Sequence, residues 1–122
     1  MINIDYKSDL PIYEQIIEQF KLNIIKGVFI AGDSVPSVRK MAASLEITPS
    51  TVAKAYAELE RQGVIETIRA KGTFISANPV NDNPVNVDKC KKKMLSEIIE
   101  LKHGGYSLEQ VQKIVDELYE SI

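Results

Sequence analysis

Apolar residues recur at four-residue intervals near the start of the chain. Ile12, Ile16, Phe20 and Ile24 mark one stripe, and Tyr13, Ile17 and Ile25 widen it into a face. That periodicity predicts an amphipathic helix over Pro11–Lys26, with Pro11 in its first turn, where a missing N–H costs nothing, and Gly27 as its terminator. A short extended lead-in, Ile4 to Asp9, precedes it. Residues 28–36 read as a short apolar piece followed by a turn. Ser37 is the expected N-cap of a short second helix whose buried face is Val38, Met41, Ala42 and Leu45. This helix breaks near Glu46-Ile47. Thr48 then caps a third helix with Pro49 at its first position, and Val52, Ala55, Tyr56 and Leu59 form one face up to Gly63.

After Gly63 the period shortens. Residues 64–68 and 72–76 are rich in β-branched side chains, with Arg69-Ala70-Lys71 between them, which predicts a two-stranded hairpin with a basic tip. Pro79, Pro84 and neighbouring asparagines and aspartates mark a linker. Beyond it the pattern is helical again. One helix, with Asp88 as its expected cap, runs to about His103 with Met94, Leu95, Ile98, Ile99 and Leu101 apolar, and Gly104-Gly105 ends it. Ser107 and Gln110 form an S-x-x-Q capping box ahead of a last helix with Val111, Ile114, Val115 and Leu118 on one face. The expected fold is mainly α with a small β-hairpin. A winged helix-turn-helix domain (1–77) is followed by a linker (78–87) and a two-helix dimerisation segment (88–122).

Composition narrows the function. The chain has 122 residues, 44% of them apolar, which suffices for one compact domain and an appendage. No apolar run approaches the roughly 20 residues needed to span a bilayer, and the N-terminus lacks a signal-peptide layout. No membrane association and a cytoplasmic location are expected. With one cysteine, Cys90, and one histidine, His103, no intrachain disulfide is available and no metal site reaches the usual ligand count. Cys90 lies among Lys89, Lys91, Lys92 and Lys93 and reads as a solvated thiol, with redox sensitivity as the sharper alternative. No nucleophile–base pair and no phosphate-binding glycine loop is visible, so neither an enzyme nor a cofactor is expected.

The net charge of −2 does not by itself suggest nucleic acid. Between Arg39 and Lys71 the basic residues Arg39, Lys40, Lys54, Arg61, Arg69 and Lys71 only slightly outnumber Glu46, Glu58, Glu60 and Glu66. Pattern carries more weight. Two helices joined by about four residues fit the helix-turn-helix, whose second helix meets base edges with its N-terminal residues. Here those residues are short and polar, Thr48, Ser50 and Thr51, with Lys54 one turn on. Such hydroxyls let a helix end approach a phosphate closely. Arg39, in the first turn of the second helix, is a cation at a positive helix end, a placement explained by a phosphate or guanine partner. Arg69 and Lys71 at the hairpin tip suit a phosphate rail or the minor groove. The competing reading, a winged-helix module for protein contacts, calls for an acidic or apolar third-helix face, which Ser50, Thr51 and Lys54 do not supply.

These residues resemble the GntR family of bacterial regulators. The likeness lies in PIYEQI (11–16), SVPSVRKMAASLEITPSTVAKAYAELERQGVIE (34–66) and RAKGTFI (69–75), and it spans about residues 2 to 77. The resemblance implies DNA contacts from Ser37 and Arg39, from Thr48, Pro49, Ser50, Thr51 and Lys54, and from Arg69, Lys71 and Gly72. Pro49 and Ala53 stand where many members carry arginine, and Ala70 where many carry glycine. The short helical tail is similar to that of the YtrA-like subfamily. This implies a homodimer formed through Leu95, Ile98, Ile99, Val111, Ile114, Val115 and Leu118, binding a double-stranded, palindromic operator. It further implies repression of the protein's own operon, commonly one encoding a transporter. A small-molecule effector is left open; the sequence names none.

Overall fold

The computed structural model describes residues 2–77 and 85–122. The chain divides into two compact units, Met1–Asn83 and Pro84–Ile122. The first contains α1 (Ile12–Ile25), β1 (Ser34–Val35), α2 (Val38–Leu45), α3 (Pro49–Arg61), β2 (Ile65–Ile68) and β3 (Gly72–Ile75); the second contains α4 (Val87–His103) and α5 (Leu108–Glu120).

The expected amphipathic stripes form the core of the first unit. Ile16 and Phe20 of α1 meet Val52, Ala55, Tyr56 and Leu59 of α3, with Val64, Ile65 and Ile75 from the sheet closing the cluster. Phe20 is fully buried, with its ring centroid 5.2 Å from Phe29 and 5.7 Å from Tyr56, the latter edge-on. Truncating so large a buried ring to alanine typically costs about 3–5 kcal/mol, so this residue anchors α1 on α3.

Helix ends follow local rules, with shifts from the sequence reading. Pro11 is the N-cap of α1 rather than part of its first turn: its ψ of 145° is extended, and its carbonyl accepts the Gln15 amide at 3.1 Å. Gly27, at φ 74°, ends the helix while Val28 N–H bonds back to the Asn23 carbonyl. At the end of α2 the same left-handed turn is made by Glu46 at φ 56°, with Ile47 N–H on the Ala42 carbonyl. This sharp turn redirects the chain into α3.

The lead-in is docked rather than simply extended, and it turns at Tyr6-Lys7. The buried Gln15 carboxamide pairs with both backbone groups of Asp5, at 2.9 and 3.0 Å, and also donates to the Leu10 carbonyl. Gln19 pairs with both backbone groups of Asn3 in the same way. Tyr6 O–H reaches across to the Leu45 carbonyl at 2.6 Å, tying the lead-in to the end of α2.

The sheet has three strands in the order β1-β3-β2, all antiparallel. The expected hairpin is present, with Ile65 opposite Ile75 and Ile68 opposite Gly72. The third strand was not expected: Ser34 and Val35 pair with Phe74 and Thr73. Two residues are too few to show alternation, so only the pairing reveals the strand.

In the second unit Asn86, not Asp88, caps α4, accepting the Lys89 amide at 3.1 Å. Asp88 lies inside the first turn, where its charge suits the helix dipole. Of the linker expected over 78–87, residues 78–84 lie outside the described residues, and Val87 already belongs to α4. The capping box at α5 forms as read: Ser107 Oγ accepts the Gln110 amide at 3.2 Å and Gln110 Oε1 accepts the Ser107 amide at 2.8 Å. Neither helix has a buried residue.

Candidate nucleic-acid interface

Three pieces of the first unit carry the expected contact residues: the start of α2, the start of α3 and the β2–β3 tip. Ser37 caps α2, its hydroxyl oxygen accepting the Lys40 amide at 3.2 Å. Arg39 is therefore the second helical residue and is exposed. A cation there works against the helix dipole by about 0.3–1 kcal/mol. No carboxylate offsets this, since among the described residues the ion pair formed is Arg61–Glu58.

Thr48 takes the N-cap backbone position of α3, with Pro49 at the first helical position, but its side chain does not cap. Thr48 Oγ1 instead lies 3.2 Å from Ser50 Oγ and 2.8 Å from Thr51 Oγ1. Pro49 has no N–H and the Thr51 amide donates to the Thr48 carbonyl at 3.2 Å, so the anion-attracting feature here is the hydroxyl cluster at the positive end of the helix. Thr48 and Ser50 are exposed and Thr51 is half-buried.

Lys54 has a partner that the sequence reading missed. Its Nζ stands 3.9 Å from the ring centroid of Tyr13, a residue of the apolar face of α1. The Tyr13 hydroxyl donates to Glu14 Oε1 at 3.1 Å. That bond, and the negative charge of Glu14, hold the Tyr13 hydroxyl above its usual range. The adjacent Tyr13-Glu14 pair was visible in the sequence; the helix packing that brings Lys54 over the ring was not.

At the hairpin tip, Arg69, Ala70 and Lys71 are exposed, and Lys71 N–H bonds to the Ile68 carbonyl at 3.0 Å. Ala70 adopts φ 67°, and Gly72 follows at φ 113°. Ala70 therefore accepts a left-handed turn in spite of its Cβ, a strained choice for an L-residue. Towards the C-terminal end of α3, Arg61 grips Glu58 with two nitrogens, at 2.9 and 2.6 Å. With Gln62, this pulls the Glu58 carboxyl down to about 2. Arg61 is thus engaged, whereas Arg39, Arg69 and Lys71 make no ion pair with any described residue.

A two-helix turn, a basic wing and a hydroxyl-rich second helix define a winged helix-turn-helix of regulatory type. The family model described as bacterial regulatory proteins, gntR family, matches residues 12–75. The chain belongs to the GntR family of bacterial regulatory proteins, which are transcriptional regulators and not enzymes. It is similar to the HTH-type transcriptional repressor YtrA of Bacillus subtilis, at 43% identity over 97% of this chain and 92% of that protein. It is also similar to the crystal structure of a transcriptional antiterminator from Listeria monocytogenes. That likeness has a TM-score of 0.86 and 39% identity, covering 98% of this chain and 90% of that one. The AraR DNA-binding domain, crystallised in complex with operator ORE1, shares the fold at a TM-score of 0.52 and 22% identity, over 62% of this chain and 93% of that one. Among the described residues no helix is long and apolar enough to cross a membrane.

Proposed function

We propose that this chain is a sequence-specific repressor that binds a palindromic operator as a homodimer in the cytoplasm. The observation that carries this reading is the state of the cations. Arg39, Arg69 and Lys71 come from the elements just before and just after α3, all are exposed, and among the described residues no carboxylate pairs with them. Cations left unpaired around a hydroxyl-bearing helix start are what a phosphate backbone and base edges require. In this reading Ser50 and Thr51 approach the bases or adjacent phosphates, Arg39 takes a guanine or a phosphate, and Arg69, Lys71 and Gly72 form the wing contact. Ser37, Thr48 and Pro49 shape the two helix starts, and Lys54 adds a charge one turn into α3.

The apolar surface of α4 and α5 supports the dimer. Leu95 and Ile99 are more than half exposed, and so is Leu118, at 56%, 59% and 63%. Ile98 and Val115 join them on the surface, while Val111 and Ile114 are half-buried. Helices of this length gain most of their stability from packing an apolar face. A second copy supplies the missing surface, and its two-fold symmetry matches a palindrome. The similarity to YtrA, a repressor, extends the reading to repression of the protein's own operon, of the transporter-encoding kind.

The test is a titration of the purified protein against the DNA upstream of its own gene, by fluorescence anisotropy at two salt concentrations, with random DNA as control. Tight, salt-dependent binding at two chains per site is expected. Equal weak binding to both DNAs would overturn the reading.

A further inference from the structure

The Tyr13–Lys54 contact joins the first turn of α1 to the second turn of α3. Tyr13 is half-buried and packed against the core, so its ring is a fixed surface. Its hydroxyl donates to the Glu14 carboxylate, which leaves the ring face richer in electron density. Such a face attracts an ammonium ion, and the 3.9 Å separation is well inside the range of that attraction. Lys54 itself is exposed, and a free lysine side chain explores many rotamers. It lies four residues after Ser50 and three after Thr51, on the same strip of α3. Arg39, Arg69 and Lys71 have no comparable anchor among the described residues.

We propose that Tyr13 is a positioning residue for DNA binding: its ring holds the Lys54 ammonium beside the hydroxyl-bearing start of α3, so that it meets a phosphate with its conformational freedom already restricted. This rests on the DNA-binding function proposed above. A cation held on one side by a ring keeps its remaining donors for a phosphate oxygen. Tyr13 therefore acts through Lys54 and not by touching DNA.

A double-mutant cycle tests this, with the DNA upstream of the protein's own gene and random DNA as probes. Tyr13→Leu should weaken binding to the upstream DNA by about two- to fivefold. Tyr13→Phe, which keeps the ring but loses the hydroxyl bond to Glu14, should lose less affinity than Tyr13→Leu. In a Lys54→Met background the Tyr13→Leu change should have no further effect. Lys54→Met should lower the salt slope by about one counterion, whereas Tyr13→Leu should leave the slope unchanged because the charge remains. In the free protein, ring-current-shifted Lys54 methylene resonances should move to random-coil positions in Tyr13→Leu. Tyr13→Met replaces Tyr13→Leu should the latter lower the melting temperature. Additive losses in the cycle, or tighter binding by Tyr13→Leu, would overturn the role of Tyr13 while the wild type still selects the upstream DNA. A wild type that binds both DNAs alike would overturn the DNA-binding reading itself, and this proposal with it.

Discussion

The Tyr56 hydroxyl, halfway along α3, donates a 2.7 Å hydrogen bond to the carbonyl of Pro36, the residue just before the α2 cap. The two helices of the motif are thereby linked at a point next to Ser37 and Arg39. Tyr56 is almost fully buried, which pushes its hydroxyl well above the usual range and keeps it a donor. Removing only that oxygen, in Tyr56→Phe, should cost about 0.5–1.5 kcal/mol, the usual net value of one hydrogen bond. Urea unfolding measures it. The lower end is expected, because Pro36 is exposed and water can replace the lost donor.

Arg39 is the sharpest test of the interface. Its side chain is exposed and makes no ion pair among the described residues, so Arg39→Ala should leave the melting temperature within a degree or two of the wild type. It should weaken operator binding by about 1–3 kcal/mol, the loss expected for one base-edge or phosphate contact. Unchanged affinity in the folded variant would remove Arg39 from the contact set.

Ala70 gives a prediction of opposite sign. At φ 67° its Cβ is strained, and the left-handed conformation costs a non-glycine residue about 1–2 kcal/mol. Glycine removes that strain but gives back part of it through the greater freedom of the unfolded chain. Ala70→Gly should therefore stabilise the winged unit by about 0.5–1 kcal/mol, read as a raised urea midpoint with an unchanged slope. A destabilised variant would mean that the turn relaxes elsewhere.

What could be read from the sequence was what local chemistry decides. The stripe from Ile12 to Ile24, the Ser37 cap and the Ser107–Gln110 box each depend on residues within a few positions of one another, and each forms. β1 did not announce itself, because Ser34 and Val35 become a strand only by meeting Phe74 and Thr73, some forty residues away. The Tyr6 bond to Leu45 and the Tyr13 contact with Lys54 escaped for the same reason. The start of α3 was a subtler miss. Thr48 takes the cap position as expected, but its hydroxyl pairs with those of Ser50 and Thr51 rather than with a backbone amide. The exposure of Arg39, Arg69 and Lys71, by contrast, was legible, since a charged side chain on a short surface element needs no distant partner.

The dimer can be tested at Leu118. In one copy of the chain this side chain is 63% exposed on α5, so a glutamate there is a surface substitution, worth no more than about 0.5 kcal/mol to a lone subunit. In the proposed dimer the same carboxylate is buried against a second apolar face, and symmetry buries it twice. An unpaired charge in such a place costs several kcal/mol, enough to reverse a typical association. Leu118→Glu should therefore sediment as a monomer at concentrations where the wild type is a dimer. Because α4 and α5 bury no residue of their own, the monomer should also lose helical signal in far-ultraviolet circular dichroism. Operator affinity should fall as well, since two half-sites are then bound by separate molecules rather than one. A Leu118→Glu protein that remains dimeric and binds operator unchanged would exclude this face of α5 from the interface, and the exposed Leu95–Ile99 stretch of α4 would then have to carry the association alone.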